Sequence, residues 1–140
     1  MFNKSYEQRL ESWSCFRDSL EESDDPFRDV IEYYKQAPTV SIHTDPWNRD
    51  SWPDPWQLVH ENQYCDFCRV LGWCYSLQLT DRFKGSVFEI HIITYEETSY
   101  QYLLFVDENV LGYIDDEVIH RSKLPSNLRS HQAYSMSSQQ

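Results

Sequence analysis

The sequence predicts an α+β fold, with helices first and a small antiparallel β-meander later. Two observations carry this reading. Up to about residue 75 the apolar residues recur at spacings of three and four; beyond it they alternate with polar ones. The links between the alternating stretches are also short, which requires antiparallel neighbours.

The elements follow in chain order. Residues 5–22 form an amphipathic helix, with Tyr6, Leu10, Trp13, Phe16 or Arg17, and Leu20 close to one stripe. Asp24 or Asp25 caps a second helix over 23–37, and Pro26 suits its first position. Phe27, Val30, Ile31 and Tyr34 give its apolar face, and Pro38 ends it. The short link between these helices predicts an αα-hairpin. A central helix starts near Pro55 with Trp56, Val59 and His60. It continues, or restarts after Asn62, through Tyr64, Phe67, Cys68, Leu71 and Tyr75.

Period two begins at Tyr75, Leu77 and Leu79, and Asp81 to Gly85 reads as a turn. Strands are expected over Val87 to Tyr95, Tyr100 to Val106 and Val110 to Ile114. Their turns fall at Glu96-Glu97-Thr98-Ser99 and Asp107-Glu108-Asn109. Residues 1–120 thus read as one α+β domain. Ser126 to Gln140 holds five serines and three glutamines, so 121–140 is expected to be a flexible, polar, weakly basic tail.

Charge narrows the function classes. The net charge is −11, and all 23 acids precede residue 121, where only nine of the twelve bases lie. An acidic body repels phosphate backbones, which argues against nucleic acid as a partner. No apolar run approaches the roughly 20 residues of a membrane span, and the first residues carry no secretory signal. Cys15, Cys65, Cys68 and Cys74 read as reduced thiols of a cytosol-like compartment. The three glycines are scattered, so no phosphate loop or dinucleotide fingerprint exists, and no cofactor is expected.

The aromatics are dense: five Trp, ten Tyr and seven Phe in 140 residues. Trp47, Trp52 and Trp56 stand on the stiff segments Asp45-Pro46-Trp47 and Trp52-Pro53-Asp54-Pro55-Trp56. They read either as rings pinning a loop over the core or as contacts for a protein partner.

Two constellations could carry chemistry. His60, Cys65 and Cys68, with Cys74 downstream, have ligand-type spacing, but a structural zinc site needs a second cluster that only His91 or His120 could supply. Apolar cysteines on a packing helix explain them better, so no metal is expected. The second is a thiol nucleophile. Cys65 lies near a helix start, which favours a thiolate. Phe88, Ile90 and Ile92 take one face of their strand, leaving Glu89 and His91 on the other, and Asp107 closes the next strand. Cys65 as nucleophile, His91 as base and Asp107 as orienter resembles, in order, the transglutaminase-like and papain-like cysteine hydrolases. The Gly-Asp or Gly-Gln usual before their nucleophile is absent, and Tyr64-Cys65-Asp66 stands there instead.

Longer strings resemble a family of small proteins of large contractile-tailed bacteriophages (cyanophage-type). They are Trp13-Ser14-Cys15-Phe16-Arg17 with Leu20-Glu21 and Pro26, Asp45-Pro46, Trp52-Pro53-Asp54-Pro55-Trp56-Gln57-Leu58, Leu77 to Phe83 and Phe88-Glu89-Ile90-His91-Ile92. The resemblance implies a product of the host bacterial cytoplasm, with incorporation in the virion as one fate. It transfers no activity and no site residue. The function expected is therefore non-enzymatic: a phage virion or assembly protein that binds other proteins. A cysteine hydrolase or acyltransferase, active or degenerate, and a phage-encoded binder of a host protein are the alternatives.

Overall fold

The computed structural model describes residues 2–41, 44–95, 99–114 and 117–137. Among these, four α-helices precede five strands. They are α1 (Tyr6–Leu20), α2 (Pro26–Tyr34), α3 (Pro55–Glu61), α4 (Asp66–Gln78), β1 (Phe88–Thr94), β2 (Gln101–Val106), β3 (Asn109–Leu111), β4 (Val118–His120) and β5 (Arg129–Met136). The architecture is α+β. No described helix is long and apolar enough to cross a membrane.

Side-chain caps set the helix starts. Ser5 with Gln8 on α1, and Asp54 with Gln57 on α3, form reciprocal capping boxes. Asp25 accepts from the Arg28 amide on α2, and proline opens both α2 and α3. Asn62 has a left-handed backbone (φ 53°) that ends α3 and turns the chain into α4, so the central helix is two helices.

The alternation at Tyr75, Leu77 and Leu79 is not a strand, because α4 runs on to Gln78. Ten of its thirteen residues are buried. A helix enclosed on most sides shows no clear polar face, so its apolar pattern is easily read as period two. One side of α4 holds a polar knot. Trp13 Nε1 donates to Ser76 Oγ at 2.9 Å, and the Tyr34 hydroxyl lies 3.1 Å from the same atom. The Tyr34 ring lies over Gly72, where an added Cβ would come within 2.6 Å of it. Burial pushes the Tyr34 hydroxyl up to about 12, so it stays protonated. Phe16 of α1 and Tyr33 of α2 stack at 3.7 Å. Beyond α1, the Glu21 carboxylate accepts the amides of Asp81 and Arg82 at 2.8 and 2.9 Å. Arg82 returns its guanidinium to the carbonyls of Leu20 and Ser23.

The sheet order is β4-β3-β2-β1-β5, with every neighbouring pair antiparallel. Phe88 pairs with Val106, and the β1–β2 register runs to Ile93 opposite Gln101. One face presents Phe88, Ile90, Leu104, Val106 and Leu111 to the helices. The other presents Ile93, Leu103, Phe105 and Val110, covered by Tyr113, Ile119, Leu124 and Leu128. The segment after β4 therefore crosses the outer face to reach the opposite edge.

There it becomes β5. Residues 129–136, expected in the flexible tail, pair with β1 from Phe88↔Met136 to Thr94↔Arg129, with a bulge at Ile92/Ile93. The misreading has a physical cause. An edge strand packs one face lightly, and among residues 129–136 only His131, Tyr134 and Met136 are withdrawn from solvent. β4 was missed because it has three residues. The third strand is also shorter than expected, ending at Leu111. The expected turn residues Glu96, Glu97 and Thr98, and the acids Asp115 and Asp116, lie outside the described residues.

Cutting the chain after residue 120 will abolish cooperative thermal unfolding by circular dichroism, because β1 loses its pairing along one edge. A truncated chain that melts like the full one would show β5 to be dispensable. Ser76→Ala leaves both Trp13 Nε1 and the Tyr34 hydroxyl buried without this partner. It should cost about 2 kcal/mol in denaturant unfolding.

Candidate functional site

The three residues of the hydrolase arrangement are not brought together. Cys65 stands at the N-cap position of α4, without a side-chain capping bond, and belongs to the core between helices and sheet. His91 lies on the outer face of β1, stacked on Phe105 with ring centroids 4.1 Å apart, and its Nδ1 is 3.0 Å from Ser130 Oγ. The sheet separates the two. Asp107 sits in the β2–β3 turn with φ 52°, and its Oδ1 accepts the Val87 amide at 2.9 Å. Its function is to shape the hairpin, as turn chemistry favours for Asp. The His91–Asp107 part of the arrangement therefore supplies no base to Cys65.

The ligand-type spacing does not close a metal site either. The His60 ring packs edge-on against Tyr6 at 4.9 Å. Among the described residues no three of His, Cys, Asp and Glu gather around a common point.

The three tryptophans have three different surroundings. Trp52 is half-buried between Phe67 and Tyr134, with both centroids at 4.8 Å, and its Nε1 donates to the Asp45 carbonyl. It is a pin, as Arg49 (to the Ser135 carbonyl, 2.6 Å) and Tyr75 (to the Pro53 carbonyl, 2.7 Å) also are. Trp56 lies across the molecule against Trp13 at 5.5 Å, with Arg17 near both rings. Trp47 is 45% exposed and packs edge-on against Tyr100, itself 51% exposed.

Trp47 and Tyr100 form the rim of an open groove of about 760 Å³. Its walls are residues 39–41 and 44–47, the start of α4 and the approach to β2, with Cys65, Phe67 and Tyr102 among the lining residues. A second groove of about 430 Å³ shares Asp66, Tyr100 and Tyr102 and runs on toward Trp73 and Gly112. Asp45 and Asp66 make the first groove acidic. Burial raises the Tyr102 hydroxyl, and Cys65, Asp66 and Asp45 add to the shift, as negative charge beside a phenol must. The Arg69 guanidinium lies 3.5 Å from the Asp66 carboxylate.

Sequence reasoning placed Trp47 and Cys65 at possible sites but on separate grounds. It missed Tyr100, Tyr102 and His131, whose ring is 5.4 Å from Tyr100. A signal existed for the tyrosines: in an extended chain positions 100 and 102 share a side. For His131 there was none, since its segment read as tail. Comparison with known protein families, curated proteins and solved structures finds no match for the chain.

His91 generates a pH prediction. Its ordinary value is 6.5; burial lowers it, Glu89 pulls it upward, and Arg121 adds to the lowering. Between the folded value and 6.5 the unfolded chain binds more protons, so stability rises with pH across that window. This contribution is fully present above 6.5 and is lost as pH falls toward the folded value. His91→Gln should flatten the melting temperature between about pH 5 and about pH 7.5. An unchanged slope would mean that other groups carry it.

Proposed function

We propose that the protein is a binding component whose groove takes an aromatic or aliphatic side chain from a positively charged segment of a partner protein. The observation that carries this reading is exposed Trp47, on a pinned loop, packed edge-on against exposed Tyr100 just before β2. Large rings held in place at an open groove lose little entropy on binding, which is the property of interface anchors. Asp45 and Asp66 favour lysine or arginine beside the inserted side chain. The separation of His91 from Cys65 removes the support for the hydrolase reading.

The resemblance to small phage proteins supports a partner among virion or assembly proteins, with the host cytoplasm as the site of synthesis. A bacterial host protein is the alternative partner. Tagged protein incubated separately with dissociated virions and with host lysate distinguishes these two sources.

Trp47→Ala and Tyr100→Ala should each weaken capture of the partner by at least about 30-fold, a loss of about 2 kcal/mol, with little change in melting temperature. Trp52→Ala should instead destabilise the fold by on the order of 3 kcal/mol. Retained capture by the Trp47 and Tyr100 variants would move the interface elsewhere.

A further inference from the structure

Helix α4 opens with Cys65-Asp66-Phe67-Cys68, the first cysteine at the N-cap and the second three residues on. Gln8 and Gln57 occupy the equivalent third position in the capping boxes of α1 and α3, where they reach back to the N-cap. Cys68 stands at that third position of α4, with its side chain beside that of Cys65. Its Sγ is also 3.2 Å from Thr44 Oγ1. The helix cap thus brings two thiols into contact. Cysteines three apart at a helix start can form a disulfide with little movement of the backbone.

The two thiols differ. Cys68 is fully enclosed, whereas Cys65 is 6% exposed and lines the groove. The hydrogen bond to Cys65, and then burial, push the Cys68 thiol far up, so it is the member that keeps its proton. The open N–H groups of α4 favour negative charge at its N-terminus. Cys74 is buried on a later turn of α4, and Cys15 is exposed on α1, so neither shares this geometry.

We propose that Cys65 and Cys68 are a redox-active dithiol that reduces disulfides entering the groove, Cys65 attacking and Cys68 resolving. Cys65, as thiolate, displaces one sulfur of the incoming disulfide. That S–S bond breaks, a mixed disulfide forms on Cys65, and the leaving thiolate takes the proton that Cys65 gave up. Cys68 then attacks Cys65 Sγ, and its proton passes to the second departing sulfur. The incoming disulfide gains two electrons and becomes two thiols, while the pair becomes a Cys65–Cys68 disulfide. Asp45 and Asp66 favour disulfides that carry positive charge. This chemistry is independent of whether a protein partner docks on Trp47.

The test is reaction of the reduced full chain with cystamine, a small dicationic disulfide, followed by acid quenching and peptide mass mapping. Exposed Cys15 is the internal reference. The expected product is a Cys65–Cys68 disulfide, lighter by two hydrogens, that accumulates about an order of magnitude faster than the adduct on Cys15. Cys68→Ser should retain a stable adduct on Cys65. Slower reaction of Cys65 than of Cys15, as burial alone dictates, overturns the proposal. So does a Cys68→Ser chain with a native melting transition and no adduct on Cys65.

Discussion

The enclosure of α4 is the constraint on which the structure depends. The helix lies between the other helices and the sheet, so its polar groups must be satisfied by residues from distant parts of the chain. Ser76 is fully buried and is met by Trp13 from α1 and Tyr34 from α2. Gln78 donates to the carbonyls of Met136 and Ser137 beside β5. Arg69 donates to the carbonyls of Tyr34 and Ala37, where α2 has ended. Each bond is worth only about 1 kcal/mol net, but leaving either side unmade in the core costs more. The helix therefore fixes the positions of α1, α2 and β5 together, and packing alone would not specify them so narrowly.

The same enclosure shapes the groove. The loop bearing Trp47 cannot drift, because Trp52, Arg49 and Tyr75 tie it to α4 and β5. Tyr134 adds a bond from β5 to the Trp47 carbonyl. A surface loop with proline at 46, 53 and 55 is already restricted, and these ties remove most of the remaining freedom. Rigid loops on a packed frame are where binding residues concentrate.

Much of the fold was legible. The apolar spacing of α2, its Asp25 cap and Pro26, and the alternating faces of β1 all follow from local chemistry. Residues whose fate depends on distant partners were not legible. Leu77 and Leu79 look like a strand because α4 has apolar surroundings on two sides. Ser130 to Met136 looks like tail because an edge strand needs only Tyr134 and Met136 to face inward. For the site, Trp47 was legible as a ring on a stiff segment, but nothing local separates it from Trp52 and Trp56. That distinction needs Tyr100 and Tyr134, which come from other strands. The Cys65–His91 arrangement failed for a related reason: chain order does not say which side of a sheet a residue faces.

The pairing of β1 with β5 has a consequence for how the chain is made. Phe88 and Met136 are partners across nearly fifty positions of sequence. On a ribosome β1 emerges well before β5. During that interval the backbone groups of Phe88-Glu89-Ile90-His91-Ile92-Ile93-Thr94 on that side have no strand to bond. Such a segment, rich in β-branched residues, is a template for pairing between nascent chains. The acidity of the first 120 residues works against this, because neighbouring nascent chains repel one another while the strand waits. Charge that looked like a property of the finished surface thus also protects the chain before that surface exists.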